Sequence, residues 1–262
     1  MKAFCTLADL TGWKPLTSIP NEKERPYAPP QHLRRYRVCV CPVVRCNTIG
    51  TGTNVQCHLQ LPRAQDGALP KAGFTIDKAG NLYGTTFAGG VADGYGSVFK
   101  VAHKGSSWVL TPLYDFQGGN DGAYPYARLI FGPDGSLYGT TAFGGNGKFG
   151  TVFRLKPQAT ICGTVTCAWN ETVLFAFDGS NGNQPVGNIV FDAAGSLYGT
   201  TSYAGYGSGG TVYKLSPGSG GWTLAILHSF SSNDGNDPYG GVILDKTGNL
   251  YGTTAYGPGQ WL

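Results

Sequence analysis

Eight side chains in the loops and connections of this sequence could contact a ligand: Asp93 with Tyr95, Asp121 with Tyr124, Lys148, Tyr206, and the acidic pair Asp234 and Asp237. Tyrosines at such places offer flat faces for a sugar ring, and aspartates and a lysine offer polar partners for hydroxyls or charge. Glycoside hydrolysis asks for more, namely two carboxylates about 5 to 10 Å apart. From residue 66 onward the chain has a single glutamate, Glu171, on a predicted outer strand away from the loops that carry the eight candidates. Most aspartates occupy turn positions that account for them. His103 and His228 fall at non-equivalent places with no G-x-S-x-G phrase beside them. No catalytic residue is assigned.

Metal and cofactor chemistry find equally little support. The segment "CVCPVVRC" spaces its thiols by two and five residues, unlike the C-x-x-C of zinc sites, and only His32 and His58 lie near it. "SNDGND" at Ser232 to Asp237 has the oxygens for calcium but lacks the closing glutamate of an EF-hand. Glycine-rich stretches such as "GGVADGYG" are followed by a strand, whereas a phosphate cradle needs a helix N-terminus. No metal or cofactor is expected.

The elements that position the candidates recur. Four segments align from Asp66, Asp121, Asn181 and Asp234, at spacings of 55, 60 and 53 residues, and each contains LYGTT. A period near 50 marks a stacked or radial array. Each unit reads as four short strands: an apolar run after a proline, then LYGTT, then "GSVFKV", "GTVFRL" or "GTVYKL", then a run that opens near Trp108, Trp169 or Trp222. D-x-x-G turns at Asp77, Asp192 and Asp245 join the first two strands, with "GPDG" at Gly132 in the second unit. Glycine inside a strand weakens it by about 0.5 to 1 kcal/mol, so most of the 42 glycines must serve turns or close backbone contacts. Four antiparallel strands per repeat is the make-up of a β-propeller blade.

The fold expected is therefore all-β, a propeller-like array of four-stranded blades with three complete repeats and a partial fourth. Residues 66–262 form the repeat domain, and residues 1–35 an irregular segment. Residues 36–65 hold strands that either complete the last blade, giving four blades, or leave the array open. Strand alternation places the loops after LYGTT and the "NDGAYP" connections on one face, the expected binding surface. An aromatic follows each LYGTT, at Phe87, Phe143, Tyr203 and Tyr256. These serve as stacking platforms or, more simply, as packing between blades.

The recurring "LYGTT", followed by "GG", "GxG" and "TVFKL"-like phrases, resembles the bacterial Gloeo-Verruco tandem repeats over about residues 66–262; "D-x-x-G-x-L-Y" is more distantly similar to NHL-type propeller strands. The resemblance implies an exported, propeller-like surface protein and brings no reaction and no catalytic residues.

Charge and cysteines complete the picture. Residues 1–65 carry net +6 and residues 66–262 net −2, so the repeats offer no basic stripe for nucleic acid. No run of about 18 apolar residues suits a membrane span, and the N-terminus lacks the apolar stretch of a signal peptide. Cys162 and Cys167, in an insertion between third and fourth strands, are expected to form a disulfide worth about 2 kcal/mol. The expected protein is a non-catalytic extracellular or cell-surface binding scaffold whose partners are polysaccharides or cell-surface proteins. The alternatives are a carbohydrate-active hydrolase or lyase, and a truncated fragment with no function alone.

Overall fold

The computed structural model describes residues 44–48, 55–59, 67–90, 94–105, 107–158, 169–203, 209–231 and 233–257. It is all-β; no helix occurs among the described residues. The candidates Asp93 and Tyr206 and the cysteines Cys162 and Cys167 lie outside the described residues, as does the segment 1–35.

Two strands, β1 (Val44–Thr48) and β2 (Val55–Leu59), form an antiparallel hairpin of their own. Then come the repeats. The first unit is β3 (Thr75–Ile76), β4 (Leu82–Thr86), β5 (Ser97–Lys104) and β6 (Ser107–Asp115), ordered β3-β4-β5-β6. The second opens with a short strand, β7 (Ala123–Pro125), and continues with β8 (Ile130–Phe131), β9 (Leu137–Phe143), β10 (Thr151–Pro157) and β11 (Trp169–Ala176). Both β7 and β8 pair with β9. The third is β12 (Val190–Phe191), β13 (Leu197–Thr201), β14 (Thr211–Gly218) and β15 (Gly221–Ser229), and the fourth shows β16 (Val242–Leu244) and β17 (Leu250–Gly252). All pairings between these strands are antiparallel, and all but that of β7 with β9 join sequence neighbours.

The repeated LYGTT word is explained residue by residue. Leucine and tyrosine alternate across the sheet: Leu137 packs toward the first unit with Leu129, Phe153 and Leu155, while Tyr138 packs toward the third with Ile189, Leu197 and Tyr213. The glycine clears space for the aromatic of the third strand. A Cβ on Gly139 would stand 2.7 Å from the Phe153 ring, and Gly84 and Gly199 meet Phe99 and Tyr213 in the same way. In the third unit the first threonine ties neighbours together, Thr200 Oγ1 donating to the Pro238 carbonyl at 2.8 Å. The second closes the ladder to the third strand through a hydroxyl pair, Thr86 with Ser97 at 2.9 Å, Thr141 with Thr151 at 2.8 Å and Thr201 with Thr211 at 2.7 Å.

The D-x-x-G turn does a second job. Asp77 accepts from the Ala79 and Asn81 amides, which fixes the hairpin, and also from the Tyr83 hydroxyl at 3.1 Å. Asp192 and Asp245 hold Tyr198 and Tyr251 likewise. Hydrogen bonds from the Asn249 side chain, then its amide, hold the Asp245 carboxyl well below the ordinary carboxylate range. In the second unit the aspartate is displaced to Asp134, which accepts from the Ser136 amide and hydroxyl and lies 4.0 Å from Arg154.

The core is thus not inside any one sheet but between successive ones. One cluster joins Tyr83, Val98 and Phe116 of the first unit to Leu129, Leu137, Phe153 and Leu155 of the second. Another joins Tyr138, Val152 and Phe177 to Ile189, Leu197, Tyr213 and Leu215. The outward faces of the first and fourth units leave Phe74, Ile76, Ile243 and Tyr251 exposed.

Candidate functional site

Connections between units carry an unusual backbone. Leu69, Tyr124, Gln184 and Asp237 all adopt positive φ, between 54° and 58°, and each directly precedes a proline. A pre-proline residue normally sits in extended conformation, and a side chain at positive φ costs about 1 to 3 kcal/mol. Two backbone hydrogen bonds hold the strained residue. The Tyr124, Gln184 and Asp237 amides donate to the carbonyls of Tyr95, Phe149 and Gly209 in the preceding unit, at 2.8 to 3.0 Å. The carbonyls of Leu69, Gln184 and Asp237 accept from the amides of Phe87, Ser202 and Ala255 in their own units. The residue is therefore the staple between neighbours. The x-Pro step common to all four aligned units was the only signal of it in the sequence.

Two of the candidates, Tyr95 and Tyr124, come together here, with ring centroids 5.8 Å apart. Tyr124 also stacks on Phe87 at 4.9 Å and meets Phe143 edge-on. Across the next connections the Tyr203 and Tyr239 hydroxyls lie 3.5 Å apart. The remaining candidates are dispersed. Lys148 sits at positive φ in a turn closed by its amide to the Gly145 carbonyl. Asp234 accepts from the Ser231 amide and hydroxyl, and one of its oxygens lies 2.7 Å from His228 Nε2. Burial raises the Asp237 carboxyl above its ordinary value, with a Tyr239 hydrogen bond working against that.

Asp121 has the company that corrects one expectation. Its Oδ2 accepts from the Tyr114 hydroxyl at 3.0 Å and the Gln117 amide at 2.7 Å. Glu171, expected far from the binding loops, lines the same open cavity of about 590 Å³ as Asp121, Asn120 and Asn146. The outer strand of the second unit runs beside the connection that enters that unit, which strand alternation alone does not reveal. Burial, and then the Asp121 charge, pushes the Glu171 carboxyl up to about 7. Its Oε1 is buried with no hydrogen-bond partner among the described residues.

That shift has a measurable sign. An acid that holds its proton more tightly when folded loses stability as pH rises from its unfolded value of 4.5 to about 7, and the loss is complete above. The effect expected is about 1 to 2 kcal/mol, the carboxyl's access to water screening the rest. Urea titrations at pH 4.5 and 8 measure it, and Glu171→Gln is expected to flatten that part of the profile. An unchanged slope in the variant would place the titration elsewhere.

A second cavity, of about 410 Å³, gathers equivalent residues from all four units. Lys71, Tyr126, Val186 and Tyr239, each the first residue after the connection's proline, line it together with Arg128 and Asn188, the third after theirs. The first strands are neighbours around it. Thr75 Oγ1 donates to the Leu129 carbonyl, the Arg128 amide donates to Asn188 Oδ1 at 3.0 Å, and Asn188 bridges to Gly241.

No curated protein matches the sequence. Among solved structures, an oxidoreductase (glucose dehydrogenase) from Thermus thermophilus is similar over 78% of this chain and 83% of its own, at 15% identity and a TM-score of 0.31. Residues 43–260 match the model of the Gloeobacter/Verrucomicrobia repeat, and with most of its length inside that match the chain belongs to this repeat family.

Proposed function

We propose that the chain is a propeller-like, non-catalytic binding scaffold, exported from the cell, whose connection face takes up polysaccharide. The observation that carries the radial reading is the cavity lined by corresponding residues of the first, second, third and fourth units. Sheets packed face to face lie about 10 Å apart, so a straight stack would hold the first and fourth units about 30 Å from one another. Their meeting at one cavity supports units that turn about a shared axis. Aromatic side chains at the connections, among them Tyr126 and Tyr239 at 40% and 45% exposure, give that face the flat apolar surface that sugar rings stack on. Completion of the last blade by β1 and β2 belongs to the same proposal, since this hairpin directly precedes the first unit as third and fourth strands precede the others.

The binding reading is tested by passing the purified chain over a panel of immobilised polysaccharides and analysing the eluates for oligosaccharide. Retention without product supports a scaffold. A second reading, hydrolysis or elimination, rests on Glu171 and Asp121. A carboxyl that keeps its proton near neutral pH beside a carboxylate held by two donors is the pairing of acid and base that such reactions use. Released oligosaccharide that disappears in Glu171→Gln would favour it.

A further inference from the structure

The axial cavity has a composition that neither a neutral sugar nor a small inorganic anion explains. Two cations line it, Lys71 from the first unit and Arg128 from the second, with no carboxylate among its described lining residues. Both are solvent-exposed, and neither belongs to an ion pair among the described residues. Two exposed tyrosines, Tyr126 and Tyr239, and Asn188 also line it. A volume of about 410 Å³ is ordinary for a small-molecule or end-of-chain site.

Each feature constrains the ligand. Uncompensated cations lining one cavity raise the local potential and favour a negatively charged guest. Arginine adds a planar fork that matches a carboxylate in two-point geometry, which a point charge would not need. The tyrosine faces demand a flat, partly apolar body attached to that charge. A sugar ring bearing a carboxylate satisfies all of these conditions.

We infer that the axial cavity is a subsite for an acidic saccharide, its carboxylate held by Arg128 and Lys71 and its ring lying against Tyr126 or Tyr239. The inference rests on the glycan-binding reading above and sharpens it to uronic-acid-containing polymers. The varied residue types at the first position after proline, Lys, Tyr, Val and Tyr, make the site asymmetric although the units repeat.

Calorimetric titration with a defined oligogalacturonate and with its fully methyl-esterified form tests it, since esterification removes the charge and keeps the ring. The acid form is expected to bind at least tenfold more tightly, with affinity falling as salt rises from 50 to 500 mM. Lys71→Ala with Arg128→Ala is expected to remove that preference at an unchanged melting temperature, because both side chains are exposed. Tyr126→Ala is expected to weaken acid and ester alike. Equal binding of the two forms, or a preference that survives the double substitution, overturns the acidic subsite while leaving glycan binding in place. Failure of every polymer in the wider polysaccharide panel to be retained would remove the glycan reading and this inference together.

Discussion

Gly150→Ala is expected to destabilise the chain by about 4 kcal/mol, enough to lower its melting temperature by roughly 8 to 16 °C. Gly150 has φ of +101°, where an L side chain is strained. The added Cβ would also stand 2.5 Å from the Thr141 carbonyl oxygen and 2.5 Å from Cδ of Pro185 in the next unit. Neither neighbour can yield, one being backbone in a ladder and the other a ring closing the inter-unit staple. Gly96 and Gly210 stand in the same relation to Pro125 and Pro238. A control separates the two contributions. Gly195 has φ of +83° with nothing within 4 Å of its Cβ, so Gly195→Ala should cost only the conformational share, about 1 kcal/mol. Thermal melts of the two variants measure the difference. Equal losses would mean that contact between units at Gly150 is not what the glycine protects.

Phe177→Ala is expected to cost about 3 to 5 kcal/mol, the usual range for emptying a buried phenylalanine site. Phe177 is fully buried between the second and third units and meets Phe175 and Tyr213 edge to face, each at 5.2 Å. Ile243, on the outward face of the fourth unit, is 68% exposed and serves as the comparison. Its replacement by alanine should change stability by no more than about 0.5 kcal/mol. Urea denaturation of both variants checks the contrast, and a small loss at Phe177 would show that the cores between sheets contribute less than their burial implies.

The strands of each unit were legible because alternation is set by the pleat, and the D-x-x-G turns because aspartate and glycine each supply something a hairpin needs. Even the departure at "GPDG" keeps a hairpin, through Asp134 and the φ of +74° at Gly135. What could not be read is what arises between units. The positive φ at Gln184 or Asp237 contradicts the preference of a residue before proline, and a carbonyl and an amide partner from different units hold it there. Glu171 sits on an outer strand as expected, yet the entering connection brings Asp121 to it. The cavity of Lys71, Arg128 and Tyr239 draws on positions 169 residues apart at its extremes, Lys71 and Gly240. Local patterns carry no information on how many degrees each sheet turns relative to the last. Departure from the repeat singles out Tyr95 and Lys148 but passes over Lys71 and Arg128, since these follow the connections closely and look like the start of a strand.

The proposed radial arrangement of the units underlies both the proposed binding face and the acidic subsite. Pulsed electron spin resonance between labels placed through keto amino acids at positions 71 and 240, leaving the native cysteines intact, tests it most directly. Units that turn about one axis should give a single separation of about 20 Å or less, label linkers included, because both positions line one cavity. A separation of about 30 Å or more, as for a straight stack of sheets each about 10 Å from the last, would contradict it.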